Sequence, residues 1–394
     1  MINFTRLLGE LESQGDTLRY ALGAKDNMHG AASGKGPVVV WNCTQQCNLR
    51  CRHCYSADGA CAAAGEMTTT QGMKFIDDLA AFNVPVLLFS GGEPLMRKDF
   101  FELLEYAKSK GIRCAVSTNG TLITPKAAAG MKALEVSYVG ISLDGPAEIH
   151  DYFRGSAGAY DKTICGIKNC KDVGQKVGLR ITINSHNWDK IDEMFTIIED
   201  LDINRICFYH YVPAGRGSEN RADGIDNAKT RMVINKLMEK TLAYRKSGIQ
   251  REILTVDNHA DAVYIYQKMC KVDTDVSEKM LALLQRNGGN RSGSAIAAVD
   301  WAGNVYPDQF TRNHKIDNVL DKPFSAIWSD GASELLSAFR NRKGLLKGRC
   351  SGCSWLDICN GNLRARAFAA SEDLWVADPA CYLTDDEIKS ERMM

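Results

Sequence analysis

No apolar run in this chain approaches the roughly 20 residues needed to cross a bilayer. The stretch Met1-Ile2-Asn3-Phe4-Thr5-Arg6-Leu7-Leu8-Gly9-Glu10 also lacks the apolar core of a secretory signal. Neither sign of charge is in excess, since 48 Lys and Arg stand against 48 Asp and Glu. A neutral balance gives no general attraction to nucleic acid or to anionic lipid. Internal repeats and low-complexity tracts are missing as well. These absences predict a cytoplasmic protein with no nucleic-acid partner and no membrane partner.

What is present is cysteine. A chain of 394 residues with 45% apolar content is long for one core, which predicts a large domain with a smaller one attached. It carries 14 Cys, and in a reducing compartment these do not form a disulfide framework. Cys47, Cys51 and Cys54 form one tight group, and Cys350, Cys353, Cys359 and Cys381 form another. Cys43, Cys61, Cys114, Cys165, Cys170, Cys207 and Cys270 are scattered and read as small buried hydrophobes.

Residues 1–36 read as a polar, Gly-rich lead-in with a short amphipathic stretch around Leu7–Leu22. From Pro37 the pattern alternates. Short β-branched runs at Val38–Asn42, Val86–Ser90, Arg113–Thr118, Val136–Leu143, Val177–Asn184 and Arg205–Tyr211 predict strands. Helix-length segments lie between them near Thr69–Phe82, Lys98–Lys110, Pro125–Leu134, Tyr160–Val173 and Trp188–Leu201. Strand–helix alternation of this kind implies a parallel sheet covered by helices. An open or partial (β/α)6 barrel over 37–218 fits best, with its chemistry at the C-terminal strand ends. A turn-rich boundary after Tyr211 and a helix near Ala228–Ser247 predict a helical linker over 219–285. A smaller Cys-rich module with a hairpin near Ala295–Tyr306 then occupies 286–394.

The first cysteine group, C-x3-C-x2-C, directly follows the first strand. Iron–sulfur clusters normally take four Cys, so three would leave one iron open to a small molecule. Zinc is the alternative, although its sites more often show paired C-x2-C units. The second strand runs into Ser90-Gly91-Gly92-Glu93-Pro94, where glycines admit a ligand close to backbone and Glu93 offers a carboxylate to an amine. The third ends in Ser117-Thr118-Asn119-Gly120, suited to a ribose hydroxyl, and the fourth in Ser142-Leu143-Asp144-Gly145. Arg154 follows where it can pair with a carboxylate. In this order the motifs describe a site for a ligand with an amine, a carboxylate and a ribose.

From Pro37 to Tyr211 these motifs, in sequence and order, closely resemble the radical S-adenosylmethionine (SAM) enzymes. The resemblance implies that Cys47, Cys51 and Cys54 hold a [4Fe-4S] cluster whose open iron binds the SAM amine and carboxylate. Gly91, Gly92 and Glu93 would face the amine, while Ser117, Asn119, Ser142 and Asp144 would lie near the ribose or carboxylate, with Arg154 as a carboxylate partner. His53 and Tyr55 would lie near the adenine. A ferredoxin- or flavodoxin-type donor would supply the electron that splits SAM into methionine and a 5′-deoxyadenosyl radical. The tail, C-x2-C-x5-C with Cys381 beyond, resembles the SPASM/twitch extensions of these enzymes. That implies a second, auxiliary [4Fe-4S] cluster on Cys350, Cys353, Cys359 and Cys381, with a closed zinc site as the alternative. Where a full SPASM domain has a Cys in a Gly-x4-Cys turn, this chain has Asp308.

A finer resemblance spans nearly the whole chain and points to radical SAM enzymes of siroheme-derived tetrapyrrole metabolism. It lies in Pro37–Asn42, Leu87–Arg97, Cys207–Gly217, Gly303–Phe310 and Asp378–Asp385. It implies an iron tetrapyrrole as substrate, as in removal of acetate groups from didecarboxysiroheme to give iron-coproporphyrin III. Such a polycarboxylate needs Arg forks. Arg216, Arg312, Arg364 and Arg366 fall in loops that can reach the barrel mouth, and His29, His210 and His314 are conceivable axial ligands of its iron. His210 and Arg216 stand nearest the expected site. A radical SAM peptide maturase is one alternative, and a non-catalytic zinc or iron–sulfur protein is another.

Overall fold

A computed structural model describes residues 1–9, 11–21, 29–56 and 65–390, so Met28 and Cys61 lie outside the described residues. The strands are β1 (Ile2–Asn3), β2 (Val38–Asn42), β3 (Val86–Ser90), β4 (Arg113–Thr118), β5 (Val139–Ser142), β6 (Val177–Ile183), β7 (Arg205–His210) and β8 (Glu252–Val256). They are followed by β9 (Ile296–Val299), β10 (Asn304–Tyr306) and β11 (Asp317–Asn318). All belong to one sheet in the order β1-β8-β7-β6-β5-β4-β3-β2-β9-β10-β11. From β2 to β8 the neighbours are parallel and sequential, the arrangement of an unclosed (β/α) barrel.

Pleating separates two faces. On one, Trp41, Leu87, Phe89, Val116, Ile141, Leu179, Ile181, Ile206 and Phe208 are buried in the main core. The intervening helices complete that core with Phe75, Leu79, Leu103, Ile167, Phe195 and Ile198. Their starts are locally specified. Thr68 caps Thr69–Ala81 in a capping box with Gln71, and Thr124 caps Pro125–Ala133, which has Pro at its first turn. The opposite, concave face carries polar side chains between apolar ones.

Two differences from the expected layout matter. Residues 1–36 are not merely a lead-in. Ile2 and Asn3 pair antiparallel with β8, and Phe4, Leu7 and Leu8 of the helix Phe4–Gly9 are buried. Likewise, 219–285 is more than a helical linker, because β8 extends the parallel sheet beyond β7. The C-terminal hairpin joins the same sheet, with β9 parallel to β2 from Val38↔Ile296 to Trp41↔Val299. Burial follows this continuity: Trp355, Ile358, Tyr382 and Leu383 share one core with the barrel. Among the described residues, no helix is long and apolar enough to cross a membrane.

Candidate SAM and iron–sulfur sites

The loop after β2 is clipped to the loop after β3 by backbone. Gly92 N–H donates to the Thr44 carbonyl (2.8 Å), and Glu93 N–H donates to that of Gln46 (2.7 Å). Only glycine permits this approach. A Cβ at Gly91, where φ is +146°, would lie 2.5 Å from the Thr44 oxygen, and one at Gly92 would lie 2.2 Å from that of Gln46. On the other side the loop is tied to the end of the helix Ala147–Arg154, with Arg52 N–H donating to the Phe153 carbonyl (2.9 Å). The result is a cavity of about 150 Å³ at the C-terminal strand ends. Cys47, Cys51 and Cys54 line it with His53, Tyr55, Gly91, Gly92, Ser117, Asn119, Ser142, Arg154 and His210. The fold thus brings together residues from Cys47 to His210 at one site.

Its electrostatics centre on Arg154. The guanidinium donates to the Cys51 sulfur (3.6 Å) and ion-pairs with the fully buried Asp144 (2.6 Å). Asp144 also accepts from the Thr182 N–H (2.8 Å). Burial raises the Cys51 thiol, and Arg154 opposes that shift. Burial pushes Cys47 up to about 12. Such thiols stay protonated near neutral pH, so it takes a bound metal to make them thiolate ligands. His53 stacks on Phe153 at 4.3 Å and is held well below its usual pKa by burial, with its Nδ1 buried and unpartnered among the described residues. A neutral ring of this kind, facing the cavity beside the last Cys, suits a flat heterocycle. The cavity therefore fits a soft-metal cluster and a nucleoside.

Three expectations about this region need correction. Glu93 does not line the cavity. It is fully buried and accepts from Thr118 Oγ1 (2.7 Å), Asn119 N–H (2.8 Å) and Leu95 N–H (3.2 Å), so it braces the end of β4 instead of meeting an amine. Asp144 is likewise beneath the cavity and acts through Arg154. Arg216 points into the protein, donating to the Cys51 carbonyl (2.9 Å), where it supports the cysteine loop from behind.

The other proposed substrate contacts divide in the same way. Arg364 is buried and donates to the carbonyls of Leu374 and Val376. Arg366 donates to Asp378 and to the carbonyls of Tyr211 and Asp257, stitching the C-terminal segment to β7 and β8. His210 lines the cavity, but its Nε2 is engaged by Asp261 at 2.8 Å. His29 lies beside Trp328 and Arg340 and lines neither of the two cavities at the strand ends. Arg312 and His314 do reach an opening. They line a second cavity of about 400 Å³ with Arg221, Trp301, Phe310 and Phe368, which shares Tyr55, Ser56 and Phe310 as wall residues with the first. Arg312 stacks over Trp301 at 4.6 Å, and His314 meets the edge of Phe368 at 4.6 Å.

Sequence reasoning missed Arg180, Tyr209 and Asp257 in the first cavity. Asp257 follows β8 at φ +69°, and burial raises its carboxyl to about 6. Recognising β8 as a strand would have exposed it, since polar residues just past barrel strands are site candidates.

The second cysteine group is assembled too. Cys350, Cys353 and Cys381 raise the thiol of Cys359, though less than burial does. The turn beside them requires Gly289, at φ +72°, whose Cβ would lie 2.4 Å from the Cys359 backbone. Among the described residues, no three His, Cys, Asp or Glu side chains converge as ligands of a single ion would. Asp308 caps its own turn, accepting from the N–H groups of Phe310 (2.9 Å) and Thr311 (2.8 Å).

Comparison with known proteins agrees with this geometry. The model of the radical SAM superfamily matches residues 41–198, and that of the SPASM iron-sulfur cluster-binding domain matches residues 291–354. The Fe-coproporphyrin III synthase of Methanosarcina barkeri (strain Fusaro / DSM 804) is 45% identical, over 98% of this chain and 99% of its own length. The pre-heme d1 synthase of Dinoroseobacter shibae is 38% identical, over 89% of this chain and 87% of its own. In fold, the chain is similar to native anSMEcpe with bound AdoMet, with a TM-score of 0.67 at 19% identity over 88% of this chain and 94% of that one.

Proposed function

The chain belongs to the radical SAM superfamily, and we propose that it modifies peripheral carboxylate side chains of a siroheme-derived iron tetrapyrrole. It is a radical SAM enzyme that uses SAM and a [4Fe-4S] cluster, and its SPASM domain binds auxiliary iron–sulfur. When bound, SAM and its cluster supply a 5′-deoxyadenosyl radical able to take hydrogen from an unactivated carbon. The substrate assignment is carried by identity of 45% to an Fe-coproporphyrin III synthase along essentially the entire chain. A match of that extent includes the substrate-facing loops as well as the shared SAM site. It favours a tetrapyrrole over a peptide, and membership of the superfamily replaces the non-catalytic reading.

In this account Cys47, Cys51 and Cys54 hold the SAM-binding cluster. Gly91 and Gly92 present backbone to the SAM amine, and Ser117, Asn119 and Ser142 face its ribose or carboxylate. Arg154 favours the thiolate of Cys51, and His53 and Tyr55 wall the adenine side. The wider cavity beyond Phe310, with its aromatic walls and Arg221 and Arg312, receives the macrocycle. The enzyme works in the cytoplasm and takes electrons from a low-potential donor of the ferredoxin or flavodoxin type.

The test is anaerobic incubation with didecarboxysiroheme, SAM and a strong reductant, followed by mass measurement. Loss of acetate groups together with 5′-deoxyadenosine is expected. An unchanged tetrapyrrole mass alongside 5′-deoxyadenosine formation contradicts the assignment.

Cys350, Cys353, Cys359 and Cys381 would hold the auxiliary cluster. Cys353→Ala should then lower reconstituted iron from about eight to about four per chain, with some SAM cleavage retained. Iron unchanged in that variant would exclude Cys353 as a ligand.

A further inference from the structure

The concave face of the sheet holds an arginine with no hydrogen-bond or ion-pair partner among the described residues. Arg180 lies in β6, opposite Ser142 of β5 and Cys207 of β7. It sits three residues before the strand end, about 10 Å below it at the rise of an extended chain. Space has been made for it. A Cβ at Gly140 would lie 2.8 Å from Arg180 Cδ, and a Cβ at Gly178 would lie 2.5 Å from the ring of the neighbouring Tyr138. The guanidinium rests over the Tyr209 ring at 4.9 Å.

Other buried arginines of the fold are committed. Arg154 pairs with Asp144 and Arg366 with Asp378, while Arg342 and Arg364 donate to carbonyls. Arg180 has no hydrogen-bond or ion-pair partner among the described residues. It lines the upper cavity with the three cysteines and also a cavity of about 660 Å³ that opens at the opposite end of the strands. That lower cavity adds Arg113 and Arg205, of which Arg205 pairs with Glu252 at 3.0 Å, and Asp202 lines it too. Three arginines thus line the barrel interior below the SAM cavity, while the carboxyl of Asp257 also lines the upper cavity. A half-buried guanidinium with no ion-pair partner among the described residues is open to an anion, and its planar fork matches a carboxylate in two parallel hydrogen bonds.

We propose that Arg180 is a carboxylate-binding site inside the barrel, holding a peripheral acid side chain of the substrate against the SAM cavity. This rests on the tetrapyrrole reading above, and it adds the residue that chooses which part of a large, many-armed macrocycle enters. Tyr209 and Tyr138 keep the fork in place by stacking and by filling the space beneath it.

The test compares wild type with Arg180→Gln and Arg180→Lys, using didecarboxysiroheme and its fully methyl-esterified form as probes. Affinity is read from the shift of the tetrapyrrole absorption band, without SAM or turnover. Iron content and melting midpoint serve as folding controls. Wild type should prefer the acid. Arg180→Gln should lose about tenfold or more of that preference by weakening acid binding alone, and Arg180→Lys should fall between. An acid-over-ester preference equal to that of wild type in the Gln variant overturns the proposal while leaving the tetrapyrrole reading intact. Failure of wild type to bind either probe overturns both. A Gln variant that binds the acid as wild type does, but no longer binds SAM, would place Arg180 in the SAM site and also overturn it.

Discussion

Cys51→Ala should reduce SAM cleavage to background in anaerobically reconstituted protein and remove the iron of one cluster. Cys51 is only 8% exposed, and its sulfur is the one aimed at Arg154. Among the described residues three thiols line the cavity and no other cysteine does, so none of the others described can replace it. A buried Cys removed for packing reasons alone costs little, because the thiol behaves as a small hydrophobe. Cys43 supplies that control. It is fully buried four residues before Cys47, with its Sγ 3.3 Å from the Ser90 carbonyl. Cys43→Ala should therefore keep its iron and its SAM cleavage. Normal cleavage by purified Cys51→Ala would refute the ligand assignment, and equal losses in both variants would show that the loop had merely collapsed.

The second large effect concerns stability. Arg154→Met should lower the unfolding free energy of the metal-free protein by about 3–5 kcal/mol, because it strands the Asp144 carboxylate in the interior. Asp144 is fully buried, and Arg154 offsets part of the burial cost that raises its pKa. Exchanging both partners for apolar residues, as Asp144→Leu with Arg154→Met, should recover most of the loss, since removing a buried ion pair costs far less than halving it. Denaturant midpoints of the two variants and wild type decide the matter. A double variant as unstable as the single one would mean that Arg154 acts mainly through the cysteine loop and the Phe153 face it packs on.

Much of the barrel is legible in the chain because its strands are short, β-branched and separated by capped amphipathic helices. β2, β3 and β4 fall on the expected residues. The expected strand Val136–Leu143 is shortened at its start for a visible reason. Glu135 takes φ +55° to leave the preceding helix, and Val136 N–H returns to the Met131 carbonyl instead of joining the ladder. β1 was hidden because its two residues gain their place only by pairing with β8 across some 250 residues, and β8 because it reaches β7 only after the long helix Asn227–Lys246. The helix Ala147–Arg154 was hidden for a related reason: its end is fixed by contact with the cysteine loop.

Motif order located the candidate SAM site, since residues at successive strand ends must meet at the barrel mouth. It did not distinguish lining from bracing. Glu93 and Asp144 have the chemistry expected of ligand contacts, yet each is spent on a neighbour that does line the cavity. The same limit applies to Arg364 and Arg366, which are expected in a loop reaching the barrel mouth but open the helix Arg364–Ser371, with side chains buried in carbonyl and carboxylate cages. Arg180 went unnoticed for the opposite reason, because a charge inside a strand reads as an outward-facing residue until the concavity of the sheet is known.

The central claim is that Cys47, Cys51 and Cys54 leave one iron of a cluster free to bind SAM. Electron paramagnetic resonance of the anaerobically reconstituted, reduced Cys353→Ala protein isolates that cluster. A [4Fe-4S]⁺ signal whose g-values shift on addition of SAM is the predicted result, and a signal indifferent to SAM contradicts the account.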